Sequence, residues 1–351
     1  PYTTLFRSQT PVSIITGGPG VGKTTVVGQI VATAQRLNLS ISLAAPTGRA
    51  AKRMAETSGL AAQTLHRLLK WDAKSHGFQH DPDRPLPCKL LVVDEVSMLD
   101  ISLACSLFRA IAMGTRVVLV GDRDQLPSVG PGSVLQDLIE SGRIPVTQLV
   151  EIYRQSEAGR IISNAHAVNH GQLPDTSPVP RGQAADFYWI EKDGAEEVAD
   201  LIVRMVSERI PHRFGFNPME DVQVLAPMRR GSCGTLALNE NLQAALNPKG
   251  AEFRHGDNRY RVGDRVMQTV NNYDKGVFNG DLGRLHDIQY AERLFHVAFD
   301  AGLVEYEWND ADQIALAYAV TVHKSQGSEF PVVILPLLTQ HFVMLERNLV
   351  Y

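Results

Sequence analysis

At 351 residues the chain is too long for one typical domain and comfortable for two, and its 44% apolar content is enough to bury a core in each. A net charge of −4 argues against a dedicated nucleic-acid-binding module, which is usually basic overall, but leaves room for a motor that keeps its basic residues in one channel. Cys88, Cys105 and Cys233 share no C-x-x-C spacing, no apolar run is long enough to span a bilayer, and no secretory signal opens the chain, so the expectation is a cytoplasmic protein with no zinc site, disulfide framework or membrane partner.

The opening residues 1–8, PYTTLFRS, resemble the translation of a sequencing-adapter oligonucleotide and are left out of the fold reading. Residues 12–16 form a short β-branched strand. A glycine-rich turn and a helix from Lys23 to about Leu37 follow it. A second apolar strand at 41–45 leads through a Pro-Thr-Gly turn into a helix reaching Met54. Residues 90–93 and 116–120 are further buried-type strands, each ending in acidic residues. Strands alternating with helices, with polar residues gathered at the strand C-termini, predict a parallel α/β sheet with its ligand along that edge. The segment 71–87, rich in Pro, Gly, His and Asp, reads as a surface loop or a protruding hairpin. After a Pro-rich break at 174–182, a strand at 222–226 starts a second α/β pattern. From about 253 to 310 short β runs with Gly-Asp turns at 263–264 and 280–281 predict a small β-barrel insertion.

Three motifs carry chemistry. GGPGVGKTT at 17–25 fits the phosphate loop in the strand-loop-helix setting it requires. Gly18, Gly20, Val21 and Gly22 supply backbone N–H groups, Lys23 reaches the outer phosphates, and Thr24, followed by Thr25, ligates Mg²⁺. LVVDEVSML at 91–99 delivers Asp94 to the magnesium and Glu95 to the attacking water. VLVGDRDQLPSVGPG at 118–132 then places Gln125 beyond a buried strand, where a side chain can sense the terminal phosphate.

Other strand or helix ends carry APTGRAAKRM at 45–54, Thr64-Leu-His66, and QLVEIYRQ at 148–155, and AVTVHKSQGSEF lies far downstream at 319–330. In this order the set resembles the conserved motifs of superfamily 1 helicases. Its wording is most similar to the RecD-like branch, a match strengthened by VQVLAPMRRG at 222–231 and VMQTVNNYDKGVFNGDLG at 266–283.

The resemblance implies two RecA-like P-loop NTPase domains with parallel sheets, at 9–160 and 161–351, the second carrying an SH3-like β-barrel at 253–310. It implies ATP and Mg²⁺ as cofactors, with ATP bound between the domains. It makes Gln125 the γ-phosphate sensor and Arg154 a stabiliser of the transferring phosphate, and sets Glu329 on the nucleotide sugar. Thr47, His66, Asn272, Thr321 and His323 would touch DNA, and 71–87 would be a strand-separating pin. Single-stranded DNA, its junctions with duplex and other subunits of a helicase-nuclease complex are the implied partners, and 5′-to-3′ is the implied direction, in repair or recombination. The family's adenine-reading glutamine helix falls where residues 9–11 stand, and its closing T-A-x-T-R-A-K-like motif falls just beyond Tyr351, so the expectation is a C-terminally truncated motor impaired in hydrolysis.

The residues alone leave other readings open. Arg154 also suits a surface ion pair, His66 and His323 suit helix or turn caps, 271–273 suits a plain turn, and Trp71 suits a core. A protein-remodelling phosphate-loop ATPase and a fragment that only binds DNA are the rival functions.

Overall fold

A computed structural model describes residues 11–72, 77–150, 159–180, 182–272 and 274–351. They divide into two compact units, the first running to Trp189 and taking in Arg347–Tyr351, the second being Ile190–Glu346.

In the first unit β1 (Val12–Gly17) is followed by α1 (Lys23–Arg36), β2 (Ile41–Ala45), α2 (Gly48–Ser58), β3 (Ala62–Thr64) and the short α3 (Leu65–Leu68). A hairpin of β4 (Trp71–Asp72) and β5 (Gly77–Phe78) comes next. The unit continues with β6 (Leu90–Val93), α4 (Ile101–Arg109), β7 (Arg116–Gly121), α5 (Val134–Glu140), β8 (Val146–Leu149) and α6 (Arg160–Asn169). Six strands form one parallel sheet in the order β3-β2-β6-β7-β1-β8.

Both faces of that sheet are covered, which explains strands that are apolar throughout rather than alternating. Ile15, Leu90, Val92, Val118 and Val120 pack under α1 through Val26, Val27, Ile30, Val31 and Ala34. Ile14, Leu91, Val93, Val117 and Leu119 meet Leu103, Ala104 and Leu107 of α4 on the opposite face. Because every strand runs the same way, Gly17, Ala45, Thr64, Val93 and Gly121 all end at one edge.

The hairpin is tied to this core at its base. Phe78 packs against it, Leu86 is buried in it, and the Leu86 N–H donates to Ala110 O at 2.7 Å. Thus the expected pin-like segment 71–87 is free only in part, and its residues 73–76 lie outside the described set. The first unit continues past the expected boundary at 160 because α6 seats one face on the phosphate loop.

The second unit begins with α7 (Ala195–Arg204), which continues through a π turn into α8 (Ile210–Phe214). After β9 (Val222–Ala226) and α9 (Thr235–Leu246) the texture becomes antiparallel: β10 (Glu252–His255), β11 (Asn258–Arg261), β12 (Arg265–Gln268), β13 (Leu282–Gln289), β14 (Leu294–Phe299), β15 (Gly302–Glu307) and β16 (Ile314–Leu316). β10 and β11 pair as a hairpin, and the other five form a sheet in the order β15-β14-β13-β12-β16, so the insertion reaches one strand beyond the expected 310. Its core is aromatic, with Phe253 stacked on Tyr260, Phe295 and Trp308. β17 (Ala319–Thr321) and β18 (Val332–Ile334) then flank β9 in a three-stranded parallel sheet, and α10 (Arg347–Val350) closes the described chain.

One buried carboxylate joins the insertion to that parallel sheet. Asp264, fully buried, accepts from Gln243 Nε2 at 2.6 Å, Asn247 Nδ2 at 2.7 Å, Tyr318 Oη at 2.8 Å and the Arg261 N–H at 2.6 Å. Gln243 lies on α9, Asn247 just after it, and Tyr318 just before β17. The chain's entry to the insertion and its exit are therefore held at the same side chain.

Candidate active site

β1 delivers the loop 17–25 to the sheet edge. A side chain at Gly17 would start 2.7 Å from Leu149 O of the neighbouring β8, which only glycine avoids. Gly22, at φ 87° immediately before α1, holds the left-handed turn that starts the helix. Lys23 opens α1, and its Nζ donates to the carbonyls of Gly17 and Gly18 and lies 3.9 Å from Asp122 Oδ2. Thr24 and Thr25 stand exposed in the first helical turn, where unpaired N–H groups and the helix dipole favour an anion.

β6 delivers the acids. The Asp94 N–H continues the ladder to Ala44 O at 3.0 Å, and Asp94 Oδ1 accepts from the Glu95 N–H at 2.8 Å. Glu95 itself sits at φ 52° in the left-handed region, which costs a residue with a side chain about 1–2 kcal/mol and persists where the surroundings impose it.

Asp122 follows the last residue of β7 and is fully buried; it accepts from the Tyr351 hydroxyl at 2.8 Å and from the Asp124 N–H at 3.1 Å. Gln125 follows in the same turn, half-buried, its N–H on Asp122 O at 3.3 Å.

Three carboxylates around one ammonium form an unequal contest. Burial raises the pKa of Asp94 and of Asp122, in each case against the opposing pull of Lys23. Glu95 is pushed up to about 7, first by burial and then by the charge of Asp94, with Lys23 and Arg53 opposing. A carboxyl balanced near neutrality is suited to take a proton from water. Thr24 and Asp94 offer the hard oxygen donors that fit Mg²⁺, which binds one or two protein oxygens and takes the rest from phosphates and water.

Asp122 and Arg53 lie inside sequence motifs that give them no role, and no sequence motif marks α6. Ile162 of α6 comes within 3.6 Å of where a Gly20 side chain would begin, and His166 Cε1 within 3.3 Å of the same point on Gly18. Asn169 Nδ2 donates to Asp124 Oδ2 at 2.9 Å.

The other expected residues fall into two sets. In the first unit Thr47 caps α2, its Oγ1 accepting from the Ala50 N–H at 3.3 Å, and His66 lies on α3 with its ring 5.8 Å from that of Phe78. Burial holds the His66 imidazole below its ordinary pKa, with Asp100 opposing. Both stand at the same sheet edge as the loop. In the second unit Thr321 Oγ1 accepts from the Lys324 N–H at 3.3 Å, capping the turn that carries His323, and Glu329 is exposed beyond it. Asn272 has both ends of its amide engaged locally, Oδ1 accepting from the Lys275 N–H and Nδ2 donating to Gln313 Oε1, each at 3.0 Å. Arg154 lies outside the described residues.

Three family models match: an AAA domain over residues 4–131, the SH3 domain of ATP-dependent RecD-like DNA helicases over 238–299, and a UvrD-like helicase C-terminal domain over 316–351. The chain is similar to the ATP-dependent RecD2 DNA helicase of Deinococcus radiodurans, with 40% identity over 96% of this chain and 44% of that protein. It is also similar to the RecBCD enzyme subunit RecD of Mycolicibacterium smegmatis, with 32% identity over 97% of this chain and 66% of the relative. The chain thus spans about half to two thirds of the length of these relatives. Among solved structures, the Pif1 helicase from Bacteroides in complex with ADP-AlF3 and ssDNA shares the fold at a TM-score of 0.57 and 19% identity, covering 96% of this chain and 85% of that one. Pif1 helicase from Candida albicans does so at 0.52 and 19%, covering 95% and 87%.

Proposed function

The chain belongs to the RecD-like branch of superfamily 1 helicases, and from that premise we propose that it is an ATP-driven motor that moves along single-stranded DNA and opens duplex at junctions. The observation that carries the proposal is the cluster of Lys23, Asp94, Glu95 and Asp122 at one sheet edge, with Glu95 poised near neutrality.

In this reading the N–H groups of Gly18, Gly20, Val21, Gly22, Lys23, Thr24 and Thr25 surround the phosphates of ATP. Lys23 exchanges the carbonyls of Gly17 and Gly18 for phosphate oxygens, a short movement of its head group. Thr24 and Asp94 hold Mg²⁺, which when bound neutralises charge developing on the phosphates. Glu95 takes the proton of the attacking water, Gln125 senses the γ-phosphate, Arg154 supplies positive charge to it, and Glu329 contacts the sugar. Thr47 and His66 on one unit, and Thr321 and His323 on the other, grip the strand. Asn272 shapes its own turn, since its amide is already committed. The direction, 5′ to 3′, follows the family branch, and repair or recombination in the cytoplasm is the setting. Among the described residues no helix is long and apolar enough to cross a membrane.

Replacing Lys23 with alanine tests the proposal. The charge on the outer phosphates is removed without touching the core, so K23A abolishes DNA-stimulated ATP turnover and leaves the thermal unfolding curve in place. DNA-stimulated hydrolysis unchanged in K23A overturns the nucleotide site. Hydrolysis by the unsubstituted chain that ignores single-stranded DNA favours the protein-remodelling ATPase instead.

A further inference from the structure

α6 lies outside the motifs that the nucleotide reading uses, yet one face of it rests on the phosphate loop. Ile162, His166 and Asn169 are four and three residues apart, the spacing that places side chains on one side of a helix. Ile162 covers Gly20, and Asn169 is anchored to Asp124 at 2.9 Å. Between them His166 brings its ring edge against Gly18, with Cε1 3.3 Å and Nε2 3.9 Å from the point where a side chain on that glycine would begin. The nitrogen is buried and, among the described residues, has no hydrogen-bond partner.

A buried ring nitrogen left unpaired costs about as much as a lost hydrogen bond, so each such atom in a folded protein asks for an explanation. Packing alone does not provide one, because an apolar side chain would fill the place without that cost. The Tyr351 hydroxyl, which also stands over Gly18 and donates to Asp122, makes no hydrogen bond with this nitrogen. What shares this corner is the head of Lys23, hydrogen-bonded to the carbonyls of Gly17 and Gly18. The lysine head marks the end of the loop where the outer phosphates lie, and Gly18 has no side chain to screen them from the imidazole.

We infer that His166 is a nucleotide-binding residue, donating an Nε2–H hydrogen bond to the terminal phosphate of a bound nucleoside triphosphate. The consequence is discrimination. A donor that reaches only the terminal phosphate strengthens binding of the triphosphate and leaves the diphosphate alone, and its release after hydrolysis weakens the hold of α6 on the loop. This inference rests on the nucleotide reading of residues 17–25 but adds a residue that reading does not contain.

The test is equilibrium binding of Mg-ATP and Mg-ADP to the 351-residue chain and to its H166A, H166Q and K23A variants, with thermal unfolding of each. A hydrogen bond to a charged group is lost in H166A, so its affinity for ATP should fall about tenfold or more while its affinity for ADP changes less than about twofold. H166Q, whose amide offers an N–H at similar reach, should recover most of the loss. Equal weakening of ATP and ADP in both His166 variants overturns the inference and makes α6 a structural buttress. ATP binding unchanged in H166A overturns it as well, and if K23A still fails to bind ATP in that case, the nucleotide site stands without His166. Failure of the unsubstituted chain to bind ATP removes both the site and the inference.

Discussion

At the residue scale the most informative group is Glu95, since its position sets stability against chemistry. Its folded-state pKa, about 7, lies above the ordinary 4.5, so between those values the folded protein binds more protons than the unfolded chain. Stability from this group is therefore present at low pH and is lost as pH rises from about 4.5 through about 7. Glu95→Gln keeps the shape and removes the charge. It should slow hydrolysis by about 10² to 10⁴-fold while leaving ATP and DNA binding intact. It should also be more stable than the parent at pH 8, by an amount on the order of 3 kcal/mol that shrinks towards pH 5. A melting difference that ignores pH would show that the carboxylate does not carry the penalty assigned to it. The carboxylate pair and Lys23 were legible in the sequence because a phosphate loop and an acid-ended strand in one sheet have few other uses. The left-handed backbone of Glu95 was not, since glutamate gives no local signal for it. His166 was hidden for another reason: Ile162, His166 and Asn169 read as an ordinary mixed helix face until the loop beneath them is seen.

At the scale of elements the β4–β5 hairpin and the insertion behave differently from a bare motif map. Trp71, exposed and edge-on to Phe78 at 4.9 Å, projects from a base buried in the sheet's core. Shortening the hairpin through residues 73–76 should leave ATPase near normal and abolish strand separation, as measured by a fluorescent forked-duplex assay. Equal loss of both activities would make the hairpin a folding element, and retained unwinding would make it a plain loop. For the insertion, the run of short strands and Gly-Asp turns announced a β module, but the weight on Asp264 was invisible. A Gly-Asp pair reads as a turn, and only tertiary packing turns its carboxylate into the acceptor for four donors. Asp264→Ala strands those donors in a buried site and should cost roughly 3 kcal/mol or more in urea unfolding, with Asp264→Asn in between. A cost below about 1 kcal/mol would mean that the insertion is held by its apolar core alone.

At the scale of the whole molecule, a net charge of −4 and the proposed grip on DNA are reconciled if few phosphates are held at a time. With about four phosphate contacts, single-strand affinity should fall about 50-fold between 50 and 200 mM salt and vary little with base sequence. A salt-independent affinity, or a strong base preference, would contradict a motor that walks on the backbone.

The shared anchor of the insertion also bears on the order in which the second unit comes into being. Gln223 on β9 donates to Tyr318 O across a separation of 95 residues, and β9 cannot complete its ladder to β17 until all of that chain has been made. Tyr318 in turn is held by an aspartate that belongs to the insertion. On a ribosome all the strands of the antiparallel module therefore emerge before β17 and β18, and until those arrive the edges of β9 have no partner strand.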